Sequence, residues 1–168
     1  PHALTGAPAL WARGGPSHGD DLDLLVRPAD AERAAAALEA AGLRVVRPPE
    51  GWLLKAWDGD VLVDLITEPV GLDAAQAIGR AEEVRVLGLH VLALRPEDVL
   101  TSMLLARTDL WLDFEGLLRA VRMVRERVDW DEVRERTRES PYAVGFMAMT
   151  EALGLVDGAP GRPAPGGG

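Results

Sequence analysis

The chain has 168 residues, enough for one domain or two small lobes around a single core, and 48% of them are apolar. It has no cysteine, which excludes disulfides, zinc–thiolate centres and cysteine nucleophiles, and its three histidines (His2, His18, His90) are too few for a histidine-rich transition-metal site. The net charge of −9 argues against broad nucleic-acid binding, so no DNA partner is expected, and no apolar run is long enough to span a membrane; with no signal peptide in view, a cytoplasmic setting is expected.

In chain order, Ala9 to Arg13 reads as either a short strand or one helical turn, and Gly14 to Gly19 as a loop. Leu22 to Val26 is an apolar strand with Asp21 at its mouth. Pro28 to Ala41 is a helix, with Pro near the first turn, Asp30 and Glu32 at its positive end and Gly42 as the stop. Its face is mostly alanine and suits close packing on a sheet. Leu43 to Val46 is a short strand. Trp52 to Trp57 and Asp60 to Ile66 form a hairpin around Asp58-Gly59. Residues 72–80 read as a short helix, and Glu83 to Val86 and Leu89 to Leu94 as two short strands around Gly88. After Arg95-Pro96 the period becomes helical: one helix around Val99, Met103 and Leu104, one over Leu110 to Arg127, then Trp130 to Thr137 and Tyr142 to Leu153. The Pro/Gly stretch 157–168 is expected to be a disordered tail.

Three acids stand out. On a strand, alternation puts Asp21 and Asp23 on one face, with Leu22 and Leu24 on the other. Asp64 is a lone acid inside the apolar strand VLVDLI. Carboxylates crowded on a partly buried face repel each other and cost desolvation energy, and a hard divalent cation relieves both. Phosphoryl and nucleotidyl transfer use this chemistry: paired magnesium ions, roughly 3.5–4 Å apart, hold the attacking and leaving oxygens, and a further carboxylate takes the proton from the attacking hydroxyl. The competing reading of the Asp-x-Asp pair is a turn or cap, and of Asp64 a buried pair with arginine.

The segment GGPSHGDDLDLLVRPADAERAAAALEAAGLRV, together with VLVDLI, resembles the core of DNA-polymerase-β-type nucleotidyltransferases, most nearly the small bacterial ones that include antibiotic adenylyltransferases and toxin-type relatives. The resemblance covers roughly residues 5–140. It implies an α+β fold: a small mixed β-sheet of the nucleotidyltransferase type flanked by helices, followed by a C-terminal helical region. The expected division is a catalytic core over 1–95, helices over 96–156 packed on it, and the tail. Asp21, Asp23 and Asp64 take the places of the family's metal ligands (Mg2+ or Mn2+), with Asp64 also the general base. The nucleotide, a nucleoside triphosphate such as ATP, is expected to meet Gly14, Gly15, Arg13, His18 and Lys55. The acceptor is a small molecule such as an antibiotic, or an RNA such as a tRNA end.

The family's phosphate-holding glycine turn opens a short helix. Gly14-Gly15 has the right letters but stands only a few residues before Asp21, while Gly6-Ala7 has better spacing without the second glycine or serine. The fold's first strand has no obvious counterpart. The helix EDVLTSMLLAR carries Ser102, Met103 and Arg107 where relatives often have a lysine; Lys55 is the only lysine in the chain. These departures make a non-catalytic nucleotidyltransferase-like binding module the alternative. A nucleotide-sugar transferase, which also uses Asp-x-Asp, leaves Asp64 unexplained.

Overall fold

A computed structural model describes residues 1–14 and 21–158. In chain order the elements are β1 (His2–Leu4), α1 (Gly6–Trp11), β2 (Asp21–Val26), α2 (Ala31–Ala40), β3 (Arg44–Val46), β4 (Leu53–Asp58), β5 (Val61–Ile66), α3 (Ala74–Gly79), β6 (Glu82–Val86), β7 (Leu89–Ala93), α4 (Pro96–Leu105), α5 (Glu115–Val124), α6 (Trp130–Thr137) and α7 (Pro141–Ala152). The strands form one mixed sheet in the order β3-β4-β5-β2-β1-β7-β6. β2 runs parallel to β5, and β1 parallel to β7; the other neighbours are antiparallel.

The two faces of the sheet carry different cores. On one, Ala35 of α2 packs with Val26, Leu54, Ala56, Val63 and Leu65, and Ala31, Ala34 and Leu38 border the cluster. A helix with small side chains can approach a sheet closely, and that is what the alanines of α2 achieve. On the other face Ala3 and Leu25 meet Leu10 of α1, Val99, Leu100 and Leu104 of α4, Val121 of α5, Val133 of α6 and Phe146 of α7. The helices of the second half are therefore bound to the sheet by one continuous apolar core. Because Leu25 lies two residues after Asp23, this second face is also the face of the carboxylates.

Side-chain caps open three of the helices. Asp73 caps α3 by accepting from the Gln76 amide, Asp129 caps α6 through the Asp131 and Glu132 amides, and Ser140 caps α7 just before Pro141. The hairpin forms as expected but turns one residue later: Asp58 still pairs with Val61, so Gly59-Asp60 are the loop residues. The fully buried Asp98, in the first turn of α4, takes Arg80 and Arg136 on the same oxygen, each at 2.9 Å, and so ties together α3, α4 and α6. Half-paired buried ions are costly to break, and such a knot fixes the helices relative to each other.

Two readings of the chain are corrected. The first strand of the fold is present, as β1; of the two readings of Ala9 to Arg13, the helical one holds, at the end of and just after α1. The helix expected over Leu110 to Arg127 spans only Glu115–Val124. Residues 108–113 turn instead, with a bridge between Thr108 and Trp111. Asp109 accepts from the Leu110 amide and Asp113 from the Glu115 amide, so side chains compete here for the bonds a helix would need. The expected tail falls mostly outside the described residues.

Candidate active site

The sheet order brings β4, β5, β2 and β1 side by side. In register, Lys55 stands opposite Asp64, and Asp64 opposite Asp23. Next in the row, the Thr5 amide at the end of β1 donates to the Asp23 carbonyl at 3.0 Å. Asp21 and Asp23 alternate onto the same face, but Asp21 is the exposed first residue of β2, one step off the row, with Leu62 as its partner. The acids drawn together most closely are therefore Asp23 and Asp64.

Lys55 donates to both oxygens of Asp64, at 3.1 and 3.2 Å. The partner foreseen for Asp64 in a merely structural role was an arginine; the residue found is the chain's one lysine, and the pair is only partly buried. Asp23 has no such partner among the described residues. Burial, then the neighbouring carboxylates of Asp64 and Asp21, push its pKa up from 3.8 to about 6, with Lys55 pulling weakly the other way. Replacing Lys55 by methionine removes that opposing charge. The expected result for Lys55→Met is a further upward shift of the Asp23 midpoint, read by carboxyl NMR titration; a midpoint unmoved from about 6 would show that Lys55 does not screen the site.

Gly6 closes the arrangement from above. It opens α1 with φ +57, and a Cβ at this position would lie 2.3 Å from Asp23 Oδ2. Only glycine allows the start of α1 to approach the carboxylate so closely. From Thr5-Gly6 a cleft of about 500 Å³ extends past Ile66 and Glu68, at the end of β5, to Ser102, Met103 and Arg107 on or just after α4. Arg107 is held there by the Met103 and Asp113 carbonyls.

The residues expected at the nucleotide fall out differently. Arg13 is turned away: its guanidinium is bound to the Ala9 and Ala93 carbonyls and to Glu82, and its side chain is almost wholly buried. Gly14 follows the end of α1 and has nothing near its Cβ position, so the glycine beside the carboxylates is Gly6. Gly15 and His18 lie outside the described residues. Thr5 was not singled out from the sequence. Its only signal was its place between a short apolar strand and a glycine.

Among the described residues, no three acidic or histidine side chains are gathered closely enough to form a metal cage. The donor set nonetheless suits a hard divalent ion. It is all oxygen, burial and the carboxylates of Asp64 and Asp21 leave Asp23 ionising late, and magnesium keeps water and substrate phosphates among its ligands rather than needing a complete protein cage.

The site thus sets facing aspartates on a parallel pair of strands, beside a glycine-opened helix and a cleft. The chain belongs to a family described as uncharacterised nucleotidyltransferases, whose model matches residues 15–151. Among solved structures, the crystal structure of ANT(2'')-Ia in complex with adenylyl-2''-tobramycin is 19% identical with a TM-score of 0.63, covering 89% of this chain and 88% of that one. An antigenic nucleotidyltransferase-like protein from Paracoccidioides brasiliensis is 13% identical with a TM-score of 0.57, covering 91% and 80%. The lincosamide antibiotic adenylyltransferase LnuA, bound to lincomycin, is 10% identical with a TM-score of 0.50, covering 71% and 83%. At these identities the likeness shows the fold. No curated protein sequence matches the chain.

Proposed function

We propose that this chain moves a nucleoside monophosphate from a nucleoside triphosphate to a hydroxyl of a small-molecule acceptor, with Asp21, Asp23 and Asp64 holding Mg2+ or Mn2+. The observation that carries the reading is the facing of Asp23 and Asp64 on adjacent parallel strands, with Asp23 driven to ionise late. A bound divalent ion would neutralise the carboxylates and polarise the phosphate oxygens. Asp64 takes the proton from the acceptor hydroxyl, because its carboxylate sits in the row and is oriented by Lys55. Asp23 and Asp21 supply the remaining oxygen ligands. Gly6 leaves the start of α1 free to stand against Asp23, and Arg107 is the one basic group among the described residues of the cleft wall.

A small acceptor fits the acidic chain better than a polyanionic RNA, which would be repelled. It also fits the neighbours, two of which are solved with adenylyl-tobramycin or lincomycin bound. The reading is tested by pyrophosphate release with radiolabelled triphosphates and an acceptor panel. In Asp64→Ala, release is expected to fall by roughly 10²- to 10⁴-fold, the usual share of a general base. Release unchanged in that variant would remove Asp64 as the base.

A further inference from the structure

The two edges of the sheet differ. β3 is three residues long and runs into Arg47-Pro48-Pro49, so prolines close that edge soon after it begins. β6, the outermost strand at the other end among the described residues, has five residues and no proline: Glu82-Glu83-Val84-Arg85-Val86. It joins β7 through Leu87-Gly88, with Val86 opposite Leu89 and φ of +50 and +85 at the two turn residues. This is a type I′ turn, in which the flanking residues exchange hydrogen bonds and the pairs beyond them alternate. Glu82, Val84 and Val86 therefore bond to β7, while Glu83 and Arg85 turn their N–H and C=O groups outward. The alternation shows on β7 as well, where the Leu94 amide, one residue past Ala93, donates to the Leu4 carbonyl at 2.9 Å.

The outward residues select a partner. A second β6 laid antiparallel on the first and centred on Val84 sets each Glu83 opposite the other copy's Arg85. The outward backbone groups meet in the same two pairs. Recentring by one residue, the smallest step that keeps those groups matched, would oppose Glu83 to Glu83 or Arg85 to Arg85, and like charges directly opposite are destabilising. Charge thus admits one register, and it is the symmetric one that two copies of a single chain require. Leu87 points the same way. It is a bulky residue held in a left-handed conformation and is 89% exposed, so its own chain gives it little packing. In the symmetric pairing it comes opposite the second copy's Ala81. The contact between Glu83 and His90, at 2.8 Å, is an exposed pair that contributes little by itself.

We propose that this chain forms a symmetric dimer through β6, joining two sheets edge to edge. The proposal is independent of the nucleotidyl-transfer reading, since β6 lies three strands from β2 and its carboxylates. The paired strands are short, so the interface is small and the dissociation constant is expected at roughly 10–100 µM.

Sedimentation of the full chain from about 1 to about 500 µM, a span around that constant, is expected to show monomer passing to dimer. Glu83→Arg and Arg85→Glu are each expected to weaken self-association by about 10-fold, because two cross-strand pairs become like-charged. Mixed in equal amounts, the two variants are expected to form a heterodimer as tight as wild type, since every pair is then opposite in charge. Leu87→Asn suits the turn better, so it is expected to raise the melting temperature of the dilute monomer while weakening the dimer by about 10-fold. A role confined to the hairpin would not move the two in opposite directions. All variants are first shown by melting to be folded. A wild type that stays monomeric throughout, dimerisation indifferent to both charge substitutions, or no heterodimer from the mixture would overturn the proposal.

Discussion

Asp23→Asn is expected to leave the protein more stable and inactive at once. The Asp23 carboxyl ionises at about 6 in the fold against 3.8 ordinarily, and each unit of such a difference is worth about 1.4 kcal/mol. Its side chain is partly open to water, so solvent screening reduces the full value to about 1–2 kcal/mol. The sign follows from which state holds the proton. Between about pH 4 and pH 6 the folded chain keeps a proton on Asp23 that the unfolded chain has lost. Stability from this group therefore falls as pH rises through that window, and the whole penalty is present above pH 6. Asparagine has the same shape and no charge, so it removes the penalty. At pH 7.5 the variant should melt above wild type, and near pH 4 the two should converge. Magnesium with ATP should raise the melting temperature of wild type and leave Asp23→Asn unmoved, and pyrophosphate release should be lost. A variant less stable than wild type at pH 7.5, or one still stabilised by magnesium and ATP, would refute the role given to Asp23.

The carboxylates were readable in the chain because strands write their faces into alternate residues. Asp21 and Asp23 sit two apart, and Asp64 breaks an apolar strand whose hairpin partner is announced by Asp58-Gly59. Alternation also placed α2, whose alanines mark it as a helix lying flat on a sheet. Alternation does not reveal which strands become neighbours. That β2 lies against β5, and that Asp23 thereby faces Asp64, depends on a crossover through α2, β3 and β4 that no local signal states. The start of the fold was hidden for a different reason. β1 has three residues and α1 six, too few for a period to show, and Thr5 makes no side-chain capping bond that would mark the helix. Arg13 stood as a candidate phosphate ligand; its real partners include Glu82 and the Ala93 carbonyl, far along the chain. Apolar spacing at Leu117, Leu118, Val121 and Val124 suggested a helix reaching back to Leu110, while Asp109 and Asp113 bind the backbone in turns.

Gly6→Ala is expected to cost more activity than stability. At φ +57 an alanine pays about 1–2 kcal/mol for the left-handed backbone alone. Its Cβ would stand 2.3 Å from Asp23 Oδ2, closer than any real contact, so something must move. The backbone of Asp23 cannot easily do so: it is paired to β5 and holds the Thr5 amide. The carboxylate must swing away instead, which relieves the clash at small energetic cost but misplaces the group proposed to bind metal. A displacement of about 1 Å at a reacting centre can lower turnover by about 100-fold, and at least that loss is expected, with the melting temperature down by only a few degrees. Gly42→Ala is the control. It has φ +94 and open space around its Cβ position, so it should carry a comparable backbone penalty and keep full turnover. The clash itself is isolated by repeating Gly6→Ala in an Asp23→Ala background, where Oδ2 is gone; the stability cost there should shrink to the backbone part. Equal costs in both backgrounds would place the penalty elsewhere, and full turnover in Gly6→Ala would mean that the approach of α1 to Asp23 is not what holds the carboxylate in place.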